Sequence, residues 1–212
     1  MEPHARFLLH AARTHLRPIG VIQKGKSRTW LDDRGWFVTV VEFQPSGFSK
    51  GSYLNVGAHF LWTWTDSLSF DLGHRIDHFV DYESEEQFAA EADRLAKRAA
   101  QEVLAIRERL RSPTALTAVL DARPGGKGWL EYHAAVALGL SGRSEEAQAR
   151  FLYLADLAAD DDREWVREKR ERCRQFASLV TDSPGFVDMI SDLIRQHRAQ
   201  LKLPEVNDPI FG

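Results

Sequence analysis

A single cysteine, Cys173, stands in 212 residues. No disulfide can close within the chain, and a reducing cytoplasm is the expected compartment. No apolar run approaches the roughly 20 residues a bilayer-spanning helix needs. The opening Met1-Glu2-Pro3-His4 lacks the basic and then apolar stretches of a secretory signal, so a membrane partner is not expected. Neither sign of charge is in excess. The 28 Lys and Arg stand against 31 Asp and Glu, a net charge of -3, which gives no general attraction to nucleic acid. Phosphate-cradling glycine loops, metal-ligand clusters and nucleophile elbows are missing too, which removes the enzyme classes most readily read from sequence.

What is present is a change of hydrophobic period. From Ile19 to about Val80 aromatic and β-branched residues alternate between turn signals; from Ser84 to Leu201 apolar residues recur every three or four. This predicts an α+β fold: an antiparallel meander sheet backed by an N-terminal helix and a long helix, with a C-terminal helical segment. Pro3 to Leu16 reads as the first helix. Strands are predicted at Ile19–Gln23, Arg28–Leu31, Trp36–Gln44, Tyr53–Trp64 and Leu68–Val80. Asp32-Asp33-Arg34-Gly35 reads as a turn. Both faces of Trp36–Gln44 are mostly apolar, so the face of Trp36, Val38 and Val40 needs cover, expected from within the chain.

Ser84-Glu85-Glu86-Gln87 forms a capping box, and Phe88, Ala92, Leu95, Ala99, Val103, Ile106 and Leu110 then make one unbroken stripe up to Ser112-Pro113. The glycine-rich Arg123–Gly128 is the best linker, giving an expected sheet domain at 1–123 and a helical domain at 124–212. Helices are predicted at Trp129–Leu140 and Ser144–Ala159, then from the Asp160-Asp161-Asp162 cap to Val180, and onward from an N-cap at Ser183 with Pro184 behind it. Pro204–Gly212 is expected to be non-helical, either frayed or laid into a groove.

Ile19-Gly20-Val21, Gly25 with Arg28-Thr29-Trp30, Phe43-Gln44-Pro45-Ser46 and Asn55-Val56-Gly57 follow one another in order. In that order and spacing, residues from about Phe7 to Leu120 resemble a bacterial domain family of unknown function, with Val21 and Pro45 departing from its usual pattern. The resemblance implies the fold, and by analogy an accessory or immunity-type role. Ala135, Leu138, Gly142, Ala147 and Phe151 resemble one tetratricopeptide hairpin, with no second copy downstream.

Three constellations bear on chemistry. His59, His74 and His78 are the metal candidates, but on a strand His74 and His78 stand roughly 13 Å apart, so no metal and no cofactor is expected. Trp30, Trp36, Tyr53, Trp62 and Trp64 beside Lys24, Lys26 and Arg28 could stack bases, yet strand aromatics are usually core and the balance is acidic, so nucleic acid is not expected either. The charged run Arg163–Arg174 reads as the solvated face of a helix, with Cys173 on its apolar stripe. No catalytic set emerges. The expected function is a non-catalytic protein-interaction or accessory module, its partner another protein or a second copy of this chain. Trp30, Gln44, Ser46, Asn55, His59, Arg143 and Arg150 are the candidate binding-surface residues. The alternative is a small-molecule-binding protein or hydrolase with a pocket between sheet and helices near Gln44, Asn55 and His59.

Overall fold

The structure, a computed structural model, describes residues 3–122, 128–157 and 163–210. The chain divides by packing into two compact units, residues 1–61 with 65–108 and residues 62–64 with 109–212. The glycine-rich segment 123–127 and the acidic run Asp160–Asp162 lie outside the described residues.

The first unit is an α+β assembly. Its sheet is a five-stranded antiparallel meander in the order β1 (Ile22–Gln23), β2 (Thr29–Asp33), β3 (Phe37–Gln44), β4 (Gly51–Phe60), β5 (Leu72–Asp81). The register of β2, β3 and β4 sorts their residues by face. Trp30 and Asp32 share one face with Phe37, Thr39, Val41 and Phe43 and with Leu54, Val56, Ala58 and Phe60, all buried. On the other face Val38, Val40 and His59 are buried, while Glu42, Gln44, Tyr53 and Asn55 are half-exposed. The strand without a polar face is therefore covered on both sides over most of its length.

Helix α1 (Pro3–Leu16) buries Leu8, Ala11, Ala12 and Leu16, and a 3-10 turn (Arg17–Ile19) ends it. Helix α2 (Glu85–Arg109) starts at the predicted box: Ser84 Oγ accepts the Gln87 amide at 3.1 Å, and Gln87 Oε1 accepts the Glu83 amide at 3.3 Å. Its stripe from Phe88 to Ile106 is buried. The helix crosses the Trp30 face of the sheet. Arg94 is paired with Asp77 on β5 near one end, and Arg107 with Asp32 on β2 near the other.

The alternation expected from Leu68 to Val80 does not hold. Residues Leu68–Asp71 form a loop, and β5 carries two register irregularities, with Ile76 extra between the pairs Asn55↔Arg75 and Leu54↔Asp77. Each such bulge reverses the facing of the residues beyond it, so the second restores the order that the first broke. His74 and Asp77 consequently lie on the helix-backed face and Arg75 on the other. Where β4 and β5 come closest, Gly57 pairs with Gly73, and a Cβ on Gly73 would stand 2.3 Å from Gly57 Cα. Neither position has room for a side chain.

The second unit is helical: α3 (Pro113–Asp121), α4 (Trp129–Leu140), α5 (Ser144–Leu157), α6 (Glu164–Leu179) and α7 (Ser183–Gln200). Ser112-Pro113 ends α2 as expected but also starts α3, because Ser112 Oγ accepts the Ala115 amide at 3.1 Å and Pro113 fills the first turn. In α4 every residue from Tyr132 to Leu140 is buried, the pattern of a helix surrounded on all sides. It ends in a Schellman turn. Gly142 takes φ 76°, and the Arg143 and Gly142 amides bond the Leu138 and Gly139 carbonyls at 3.0 and 3.1 Å.

Tyr132, Phe151, Phe176 and Phe186, one each from α4 to α7, meet with ring centroids 5.4–6.3 Å apart. Ala135, Leu138, Ala147 and Phe151, the hairpin positions marked in the sequence, are all fully buried. The cap of α7 is Asp182, one residue before the serine expected in that role. The tail folds back along α7, with the Arg198 guanidinium donating to the Pro204 carbonyl at 2.5 and 3.0 Å and Ile210 buried. No described helix is long and apolar enough to cross a membrane.

Candidate functional site

The sheet brings Gln44 and Asn55 together, as the sequence reading required, but not with His59. Asn55 faces Glu42 on β3 and Arg75 on β5. Its amide donates to Glu42 Oε2 at 3.0 Å and to Gln44 Oε1 at 2.9 Å. Arg75 lies 3.8 Å over the Tyr53 ring and donates to Gln44 Oε1 at 3.1 Å and to Asn55 Oδ1 at 3.4 Å. The result is a polar lattice on the half-exposed end of the sheet whose members satisfy one another.

His59 lies four residues further along β4 on the same face, fully buried. Its Nδ1 is 2.9 Å from Ser69 Oγ and 3.1 Å from Asp71 Oδ2. Ser69 donates to Asp71 Oδ1 at 2.7 Å, and Asp71 Oδ2 accepts the Phe60 amide at 2.8 Å. Serine, histidine and carboxylate meet here, but not as a nucleophilic triad. A triad places serine and carboxylate on opposite imidazole nitrogens; here both touch the same one, and the serine proton goes to the carboxylate. The arrangement fixes the Leu68–Asp71 loop against the end of β4.

Trp30 is a correction: it belongs to the core, fully buried under α2. So do Trp36 and Trp62, which leaves no exposed indole row on the sheet. Ser46 organises the β3–β4 connection, its hydroxyl accepting the Phe48 and Ser49 amides at 3.1 and 3.3 Å, and Phe48 at the tip is wholly exposed. A shallow cavity of about 280 Å³ lies between His4 and residues 45–51. His74 and His78 are on strand β5, as read, and no three His, Cys, Asp or Glu converge among the described residues.

In the second unit Arg143 donates twice to Glu146, at 2.7 and 2.6 Å, and Arg150 donates to Asp121 at 2.7 Å with Glu131 at 3.5 Å. The Arg150 pairs tie α5 to α3 and α4 at the surface. Gln148 donates to the Ala177 carbonyl at 2.8 Å and so fastens α5 to α6. The outer face of α5 carries large apolar side chains among Glu145, Glu146 and Asp156. Leu152, Tyr153 and Leu157 are 47%, 53% and 51% exposed, and Trp165, at the start of α6, is 48% exposed. Tyr153 and Leu157 are four apart and share one side of the helix, while Leu152 lies on the far side of the exposed Ala149 and Asp156.

One further cluster is not visible in the sequence. The Trp62–Trp64 segment is pinned to α4: the Tyr132 hydroxyl donates to the Trp62 carbonyl at 3.1 Å, and the Trp62 indole donates to His133 Nδ1 at 3.0 Å. Trp64 packs on Trp129 at 5.0 Å. From α6, Lys169 Nζ lies 4.7 Å over Trp129 and Arg172 Cζ lies 4.1 Å over Trp64. The two cations are half-buried, unlike the solvated face read from the charge run. Beneath them burial pushes the Cys173 thiol up to about 11, and it holds Lys169 below the ordinary lysine value.

No protein-family model matches the chain, and neither does a curated protein or a solved structure.

Proposed function

We propose that the chain is a non-catalytic protein-interaction module whose working surface is the outer face of the α5–α6 hairpin. The supporting observation is the set of exposed large apolar side chains Tyr153 and Leu157, four apart on α5, with Leu152 further round the same helix and Trp165 where α6 begins. Exposed large apolar side chains on a folded surface mark contact sites, and aromatic residues such as Tyr153 and Trp165 commonly dominate the binding energy there. The polar groups of Gln44 and Asn55 are occupied by Glu42 and Arg75, and the His59 imidazole is buried beside Ser69 and Asp71, which speaks against the small-molecule or hydrolase alternative. The accessory or immunity-type role suggested by the strand motifs is consistent with a binding module.

The test is a Leu152→Glu, Tyr153→Glu double variant. Sedimentation measures self-association, and crosslinking in cells of origin measures capture of other proteins. Wild type should associate, with itself or a partner, and the variant should lose that association while keeping its melting temperature. A wild-type chain that stays monomeric and captures nothing, or a variant that captures the same proteins equally well, refutes the proposal.

A further inference from the structure

The Lys169–Arg172 cluster has a property that the interaction surface does not explain: two positive charges are half-buried with nothing negative beside them among the described residues. Strong cation–π contacts occur roughly once per 70–80 residues. Here the ten residues from Arg163 to Arg172 make three, on Trp165, Trp129 and Trp64. Two of these rings, Trp64 and Trp129, are neighbours, so Lys169 and Arg172 are held side by side above one aromatic floor. They are three apart on α6, where side chains emerge about 5–6 Å from each other. A single small group can therefore touch both heads.

Neither head has a counter-ion among the described residues. No carboxylate among the described residues lies within ion-pair distance of Lys169 or Arg172, although Glu168 and Glu171 are close in sequence. Arg172 Nη1 is buried and makes no hydrogen bond. Lys169 is half-buried with its ammonium over an indole, and at the position beside it, Gly128, even a Cβ would stay 3.8 Å from Nζ. Ring faces attract cations but accept no directed hydrogen bond of ordinary strength, so the guanidinium fork and the ammonium keep unused donors. Partly desolvated donors of this kind make their strongest bonds with charged oxygens, and Arg presents them in the planar geometry that carboxylate and phosphate match.

We propose that Lys169 and Arg172, on the floor formed by Trp64 and Trp129, are a binding site for the oxyanion of a small acid, a phosphate or a carboxylate. The Arg172 fork takes two oxygens, Lys169 neutralises the charge from the side, and the indoles hold both heads in place and keep water off their lower faces. The ligand enters from the open side of α6 and needs no rearrangement of the cluster. This site is independent of the exposed apolar side chains on α5 and α6, and its failure would leave that reading untouched.

The test is calorimetric titration of the full chain with sodium phosphate and, separately, with sodium succinate, ionic strength being held constant with sodium chloride. At least one of the two should give a saturable, single-site isotherm. Phosphate alone points to a phosphorylated ligand and succinate alone to a carboxylic acid. Lys169→Gln and Arg172→Gln should each weaken binding at least about tenfold, the loss of one charge-assisted hydrogen bond, and Arg172→Lys should weaken it less. If Arg172→Gln does not fold, Lys169→Gln decides the matter. No saturable heat with either anion, or binding unchanged in folded Lys169→Gln, overturns the proposal.

Discussion

Replacing Arg107 by Met should be among the most damaging single changes available in the first unit. Arg107 Nε and Nη2 donate to Asp32 Oδ2 and Oδ1 at 2.9 and 2.7 Å, and Nη2 also donates to the Ile19 carbonyl at 2.6 Å. One guanidinium thus joins the end of α2, strand β2 and the turn after α1. Asp32 is 3% exposed, and Arg107 is its hydrogen-bonding partner. The Asp32 hydrogen bond in turn raises Arg107 above the ordinary arginine value, against the opposing effect of burial. Methionine keeps the aliphatic volume but leaves the nearly buried Asp32 carboxylate without its cation. Breaking a buried pair from one side costs about 3–5 kcal/mol, a large part of the roughly 5–15 kcal/mol that holds a domain folded. With a urea slope of about 1–3 kcal/mol/M, the midpoint should fall by roughly 2 M. Because the chain has two compact units, the transition should be followed by hydrogen exchange at β2 and α2 amides alongside far-UV circular dichroism. The double variant Asp32→Leu, Arg107→Met removes both charges and should recover most of the loss, since apolar replacement of a whole buried pair is often neutral. A single variant costing less than about 1 kcal/mol, or a double variant no better than the single, would refute the reasoning.

Phe151→Ala should cost about 3–5 kcal/mol in the helical unit, because it empties the space between Tyr132, Phe176 and Phe186. Arg150→Ala, at a half-exposed ion pair, should stay within about 1 kcal/mol; equal losses by thermal melting would contradict the packing described. Cys173, fully buried with its thiol pushed up to about 11, should react with an aromatic disulfide reagent only after denaturant is added, and full labelling of native protein at mildly alkaline pH would be the contrary result. Asp77 is depressed below its ordinary 3.8, first by its hydrogen bond from Arg94. A carboxyl lowered by folding contributes stability above its unfolded value and loses it as pH falls through the folded one. The fall of stability below about pH 4 should therefore be shallower in Arg94→Gln than in wild type, which pH-dependent urea midpoints will show.

Much of this fold is legible because its periods are local. The stripe from Phe88 to Ile106 can be read by spacing alone, and so can the two buried faces of Phe37–Gln44 and the hairpin contacts of Ala147 and Phe151. What escapes reading depends on partners distant in sequence. Asp32 looks like a turn residue beside Asp33, which does bond the Gly35 amide at 3.1 Å; its true partner is 75 positions away. The alternation in β5 fails because a bulge is a property of the pair Asn55–Arg75 and not of either strand. In the sequence Ser112-Pro113 signals only a stop, since a residue disfavouring one helix also suits the first turn of the next. Among the candidate site residues, Gln44 and Asn55 do meet across paired strands, whereas Trp30 turned out to be core. Lys169 and Arg172 looked solvated because helical spacing identifies a face without saying that two indoles lie against it.

Residues Trp62–Trp64 leave the sheet and join the helical unit before the chain returns to β5. The helical unit is thus assembled from two stretches of unequal age at the ribosome. Trp62 emerges 71 residues ahead of His133, which accepts its indole hydrogen. At synthesis rates of about 5–20 residues per second, that gap is roughly 4–14 s. For that interval the meander and α2 can close around the first unit's core while three residues, two of them tryptophans, wait without the helix that will cover them. The order of synthesis therefore favours the sheet unit folding first, and a gene fragment beginning at Arg109 would encode a helical bundle lacking the strand of chain that Tyr132 and His133 are built to hold.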